Sequence, residues 1–134
     1  MASQGRKNVH GKAGVRFKAA YNSAKKKNLL RNVVTELVVN EKVSVTTSVV
    51  DPLIKVASNL INLAKRGDLH ARRQAASILR AYVVDKEKGT LALDKLFNET
   101  VKKFEGVNGG YVRVLKLKNR KGDNAEVRLV TWSK

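Results

Sequence analysis

The stretch "LAKRGDLHARRQAASIL", Leu63 to Leu79, decides how this chain is read. Gly67 is a helix stop, because glycine enters the left-handed conformation without a Cβ clash. Asp68, directly after it, is a helix start whose carboxylate accepts from a first-turn amide that has no partner inside the helix. Lys65 and Arg66 sit at the negative end of the first helix, where cations are favoured. His70, Arg72 and Arg73 follow the start of the second. The corner thus gathers many cationic groups against Asp68 alone, and neighbouring like charges repel. Such a corner calls for a polyanionic partner or full hydration.

Composition points the same way. In 134 residues there are 28 Lys plus Arg and 11 Asp plus Glu, a formal net charge of +17, with a pI near 10.5. The length suits one domain, and the charge speaks to association rather than fold. Nucleic acid is the first candidate partner and an anionic membrane surface the second. The absence of cysteine excludes disulfides, thiolate metal sites and a cysteine nucleophile. No apolar run approaches the roughly 20 residues that span a bilayer, and no signal-peptide core follows the N-terminal charges.

The charge is laid out unevenly. Met1 to Thr35 carries nine basic residues and no acid, and Glu36 is the first acidic residue. Asp85 to Glu105 balances five basic against five acidic residues, whereas Arg113 to Lys134 has seven against Asp123 and Glu126. Residues 1–22 lack apolar periodicity and are expected to form a basic extended arm, disordered in isolation. Residues 23–134 are expected to form a single domain.

Working outward from the corner, Leu53, Val56, Ala57, Leu60, Leu63 and Ala64 recur at helical spacing before Gly67. Asp51 and Pro52 read as the N-cap and first residue of that helix, with a start one turn earlier as the alternative. After Asp68, the residues Ala71, Ala75, Ile78, Leu79 and Tyr82 form a core stripe, with Arg73, Ser77 and Arg80 opposite. Upstream, Leu29, Leu30, Val33, Val34, Leu37 and Val38 mark a helix from Ser23 to Asn40. Its first turn carries Lys25, Lys26 and Lys27, either a solvated run or a phosphate contact. Val43, Val45 and Thr47 alternate with polar residues as a short strand. Downstream, "DKEKG" reads as a loop, Thr90 as the cap of a fourth helix, and Leu93, Leu96, Phe97, Thr100, Val101 and Phe104 as its stripe. Two alternating runs, Tyr111–Lys118 and Ala125–Trp132, flank "NRKGDN" as a hairpin, its turn placed at Gly122 and Asn124.

The expected fold is therefore α+β and two-layered. One small three-stranded sheet has helices on one side, in the order helix, strand, three helices, two strands, with the basic arm in front. No catalytic constellation accompanies it, and no metal site or cofactor motif. His10 and His70 have no paired carboxylate, so His70 reads as a surface residue. Asn108-Gly109-Gly110 suits either close phosphate approach or a flexible strand entry. A basic helix-turn-helix DNA reader is the alternative to an RNA-scaffold protein. Cations spread over arm, corner and hairpin favour the scaffold.

The blocks "NLLRNVVTELVVNEKVSVTT", "LINLAKRGDLHARRQA" and "NGGYVRVLKL" with "RKGDNAEVRLV" resemble, in this order, the bacterial large-subunit ribosomal protein family number seventeen. The resemblance covers about residues 22–132. It implies a structural constituent of the large subunit, bound to its rRNA near the polypeptide exit. It also implies neighbouring ribosomal proteins as partners, one copy per ribosome rather than a homo-oligomer, a cytoplasmic location, and no membrane or small-molecule substrate. The chain departs from the family where Thr46-Thr47 is followed by "SVVDPLIKVASNL" instead of a lysine-rich stretch. On this reading the rRNA-contacting residues are Arg6, Lys7, Arg16, Lys18, Lys25, Lys26, Lys27 and Arg31 from the N-terminal region. Lys65, Arg66, His70, Arg72 and Arg73 follow from the corner, and Arg113, Lys116, Lys118, Arg120 and Lys121 from the hairpin. Tyr111 is either a base-stacking ring or a core residue.

Overall fold

A computed structural model describes residues 23–134. The expected arm, and with it Arg6, Lys7, Arg16 and Lys18, lies outside the described residues. The first helix, α1, covers Ser23–Asn40 and is followed by β1, Lys42–Thr46. Helix α2 runs from Thr47 to Arg66 and α3 from Leu69 to Ile78. A short hairpin follows, β2 (Val83–Asp85) with β3 (Thr90–Leu91). Helix α4 opens at Ala92–Lys95 and continues through a π-helical turn, Leu96–Thr100, into a 3₁₀ turn, Val101–Phe104. Strands β4 (Val112–Lys116) and β5 (Val127–Trp132) complete the chain.

The fold is α+β as expected. The three-stranded sheet is antiparallel, in the order β1-β5-β4. Its register places Val43 beside Val130 and Val130 beside Val114. Val43, Val45, Val130 and Trp132 are buried on one sheet face, against Val34, Leu37, Leu53, Ala57, Leu60 and Ile61 of α1 and α2. The fully buried Phe104 sits edge-on to Tyr111 and Trp132, with ring centroids 5.3 and 5.8 Å away. Tyr111 is therefore a core residue rather than a free stacking ring, and its hydroxyl donates to Asn62 at 3.0 Å.

Three local expectations are corrected. First, α2 takes the earlier of its two starts, at Thr47, so Asp51 is not its cap and Pro52 lies inside the helix, in its second turn. The backbone N–H of Thr47 donates to the carbonyl of Glu126, at the entrance to β5, at 3.1 Å. That bond and the burial of Val49 and Val50 draw the chain into helix one turn early. They outweigh the amide hydrogen bond that proline cannot make.

Second, "DKEKG" is the turn of the β2–β3 hairpin, tightened by Asp85 Oδ1 accepting from the Glu87 amide at 3.0 Å. Helix α4 then starts at Ala92 with Leu91, not Thr90, at the cap position, and Asp94 Oδ2 accepts from the Leu91 amide at 3.2 Å. Third, α3 ends at Ile78 without a glycine, because Leu79 turns into the core as extended backbone. Tyr82, expected on the core stripe, is consequently outside it and 55% exposed. In the β4–β5 loop the left-handed residue is Asn124 (φ 53°) and Gly122 is not one.

Glu41 joins α1 to β1 in a left-handed conformation (φ 62°). Its carboxylate accepts from Lys103 at 2.7 Å and faces Lys95 at 3.8 Å, and its carbonyl accepts from Thr131 Oγ1 at 3.1 Å. The hydrogen bond from Lys103 is the main reason the Glu41 carboxyl is held below its ordinary value, and the charges of Lys103 and Lys95 add to it. A depressed folded-state pKa stabilises the fold above the unfolded pKa and loses that contribution as pH falls through the folded one. Glu41→Gln is thus expected to melt a few degrees below wild type at pH 7. The gap should close as the pH is lowered from about 5 through the acidic range; thermal melts across that range check it.

Candidate nucleic-acid interface

The corner forms as the sequence requires. Gly67 is left-handed (φ 67°), and its amide reaches the Leu63 carbonyl at 3.3 Å. Asp68 Oδ1 accepts from the Ala71 amide at 2.8 Å, while Oδ2 takes the Arg66 guanidinium at 3.0 Å. Foremost that amide, and then Arg66 and His70, hold the Asp68 carboxyl below its ordinary value. Ala71 and Ala75 are fully buried beneath the helix, so the backbone that carries His70 and Arg73 is held on both sides of the turn.

The cations chosen from sequence separate into two groups. The first is engaged within the fold. Arg31 donates through Nε to the carbonyl of Ile78, the last residue of α3, at 3.0 Å. Lys65 donates to the Val107 carbonyl and to the Tyr111 hydroxyl, with its ammonium 4.7 Å from the centre of that ring. Arg72 pairs with Asp94 and lies over the Phe97 ring. Arg120 pairs with Asp123 across the β4–β5 loop. That contact holds the Asp123 carboxyl below its ordinary value and raises the Arg120 guanidinium above its own.

The sequence places Arg80 opposite the core stripe of α3 and Arg72 among the rRNA contacts. Arg72 instead bridges α3 to α4. Arg80 folds back on α1, donating to Asn32 Oδ1 at 3.0 Å and to Asn28 Oδ1 at 3.2 Å. Spacing along one helix could not reveal these partners, because they lie 22 to 52 residues away.

The second group faces solvent. Lys27, His70, Arg73, Arg113, Lys116, Lys118 and Lys121 are all exposed. They project from three elements: the first turn of α1, the α2–α3 corner and the β4–β5 hairpin. Lys25 and Lys26 share the first turn of α1 with Lys27, and that turn has no acid. Lys65 bridges the corner to the base of the hairpin through Tyr111, which fixes the corner against the entrance to β4. Arg113 is opposite Thr131, and Thr131 opposite Lys42, so two cations flank a threonine across one sheet face. Among the described residues no group of three His, Cys, Asp or Glu is placed to hold a metal, and no helix is long and apolar enough to cross a membrane.

Comparison with known proteins decides the family. Residues 29–132 match the family described as ribosomal protein L17. The chain belongs to the ribosomal protein L17 family. Its members are structural proteins and not enzymes. The protein named large ribosomal subunit protein bL17 in Mycoplasma capricolum is 50% identical over 113 residues, covering 84% of this chain and 93% of the relative. The protein of the same name in Halalkalibacterium halodurans is 43% identical over 113 residues, with 84% and 94% covered. That of Mesoplasma florum is 44% identical over 113 residues, with 84% and 93% covered. The family's matched segment contains both the corner and the hairpin.

The two adjacent arginines of the corner should behave oppositely. Arg73→Ala is expected to leave stability within about 0.5 kcal/mol, as exposed substitutions do. Arg72→Ala removes the link to Asp94 and the cover over Phe97 and should cost about 1 kcal/mol. Urea denaturation of each single variant checks this, and equal losses would refute the division.

Proposed function

We propose that the chain is a structural constituent of the large ribosomal subunit, held to its rRNA by phosphate contacts from the exposed cations, in the cytoplasm. Membership of the ribosomal protein L17 family supports the assignment. The observation that carries the mode of binding is the set of solvent-facing Lys and Arg on three separate elements, none of them a single reading helix. Each phosphate neutralised releases counterions, and contacts spread over several elements follow the shape of the RNA rather than base sequence.

Residues 1–22 form the fourth contributor in this reading, an arm distinct from the 23–134 domain, with Arg6, Lys7, Arg16 and Lys18 on the RNA. The position near the polypeptide exit, single-copy incorporation and contacts with neighbouring ribosomal proteins are part of the same proposal, supported by the family resemblance. A helix-turn-helix DNA reader is disfavoured, because Arg72, which such a helix would turn to a groove, is tied to Asp94.

The test is the salt dependence of binding to a transcript of the large-subunit rRNA. The full chain should bind with a steep linear fall of log K against log salt. Deletion of residues 1–22 should lower that slope by about 0.7 to 0.9 for each contacting cation removed. Enrichment from random DNA duplexes should select no site. A single preferred duplex, bound orders of magnitude above competitor, would replace this reading with the DNA alternative.

A further inference from the structure

One feature of the surface is not electrostatic. The chain after α3 runs back across α1, and between them lies a half-open cleft of about 410 Å³. That volume lies within the range of about 300 to 1,000 Å³ found for small-ligand sites. Asn32, Glu36 and Asn40, at four-residue spacing along one stripe of α1, line one side, and Arg80 and Tyr82 line the other. Tyr82 is held at its backbone: its amide donates to the Arg80 carbonyl at 2.8 Å, and its carbonyl accepts from the Ala92 amide at 2.8 Å. The ring nevertheless stands 55% exposed. The Arg80 guanidinium is fixed by its bonds to Asn32 and Asn28. A positioned aromatic ring and a fixed guanidinium plane are the two side-chain surfaces on which unstacked RNA bases rest.

Glu36 sharpens the chemistry. It is the first acid after nine cations in the sequence, and it is exposed in the cleft. A carboxylate has nothing to offer a phosphate except repulsion, but it accepts from the N–H groups of a base. Two adjacent donors, N1–H and N2–H, match its two oxygens, and they occur together on the Watson–Crick edge of guanine. Uracil flanks its one N–H with carbonyls, and adenine sets an acceptor beside its amine. The Asn32 Oδ1 is occupied by Arg80, which leaves its Nδ2 to donate, and guanine O6 is the acceptor beside N1.

We propose that this cleft takes one guanine turned out of the RNA, stacked on Tyr82 and recognised at its Watson–Crick edge by Glu36, with an amide donor from α1. The inference rests on the RNA-binding reading above.

The experiment uses the full chain bound to a large-subunit rRNA transcript and probed with kethoxal, which modifies unpaired guanine at N1 and N2. Wild type and Tyr82→Phe should both protect one unpaired guanine. Tyr82→Ala and Glu36→Gln should each lose that protection and weaken binding about tenfold, on the scale of one lost base–aromatic stack, with the salt slope and the melting temperature unchanged. Salt-dependent binding without any such guanine protected by wild type would overturn the inference and leave the electrostatic reading intact. Absence of salt-dependent binding would overturn both. Tighter binding by Glu36→Gln would show that the carboxylate repels RNA rather than accepting from a base. An unchanged footprint and affinity in Tyr82→Ala would show that no base stacks in the cleft, and either result would refute the proposal.

Discussion

Carbonyls at helix ends have no partner within the helix, and in this chain cationic side chains supply several of them. Arg31 reaches the last carbonyl of α3, and Lys95 reaches the Val39 carbonyl at the end of α1 at 2.7 Å. Lys65 does the same for Val107, where the chain turns toward β4. Each contact joins elements far apart in sequence. Each also sets a positive charge against the negative end of a helix or a turn, where it is favoured. They add to the Arg80 bonds to Asn32 and Asn28 and the Glu41–Lys103 pair at the same ends, and a short α3 with only Ala71 and Ala75 fully buried has little apolar packing to spare. The basic composition is therefore partly a structural device.

The remaining charge is what the fold displays. Elements that carry exposed cations are braced from below: the corner by Gly67, Asp68 and Lys65, the hairpin by the Arg120–Asp123 pair at its loop. Exposed lysines on a braced backbone lose little further backbone entropy when they meet phosphate. This is the economy expected of a protein that binds RNA mainly through its phosphates, and it agrees with membership of a family of ribosomal proteins. On the proposed reading, the cleft beside Tyr82 adds a stacking surface to a skin of phosphate contacts.

Most of the architecture was legible in the sequence because its signals are local. The Gly67-Asp68 boundary, the alternation in β1, β4 and β5, and the stripe of α2 all depend on residues within a few positions of one another. The errors have a common cause. Asp51-Pro52 is a good helix start by local rules, yet a contact with Glu126, 79 residues from Thr47, moved the start to Thr47. Tyr82 continues the period of α3, but the helix ends when Leu79 turns into the core. The candidate interface was legible in composition and less so in detail, because periodicity shows which side of a helix a cation occupies and not what it meets there. Arg31 and Arg72 look like any other basic residue until their partners, 47 and 22 residues away, are brought near.

The division of cations into those that hold the fold and those that face solvent and are proposed to meet RNA is the central claim, and two paired variants measure it together. Arg31→Gln with Lys95→Gln removes two helix-end contacts, and Arg73→Gln with Lys118→Gln removes two exposed charges. For each, the melting temperature and the slope of log K against log salt on large-subunit rRNA are recorded. The account predicts that the first pair melts several degrees lower with its slope unchanged. The second pair should melt as wild type does, with its slope reduced by about 1.4 to 1.8. Equal loss of slope in both pairs, or unfolding of the second, would contradict it.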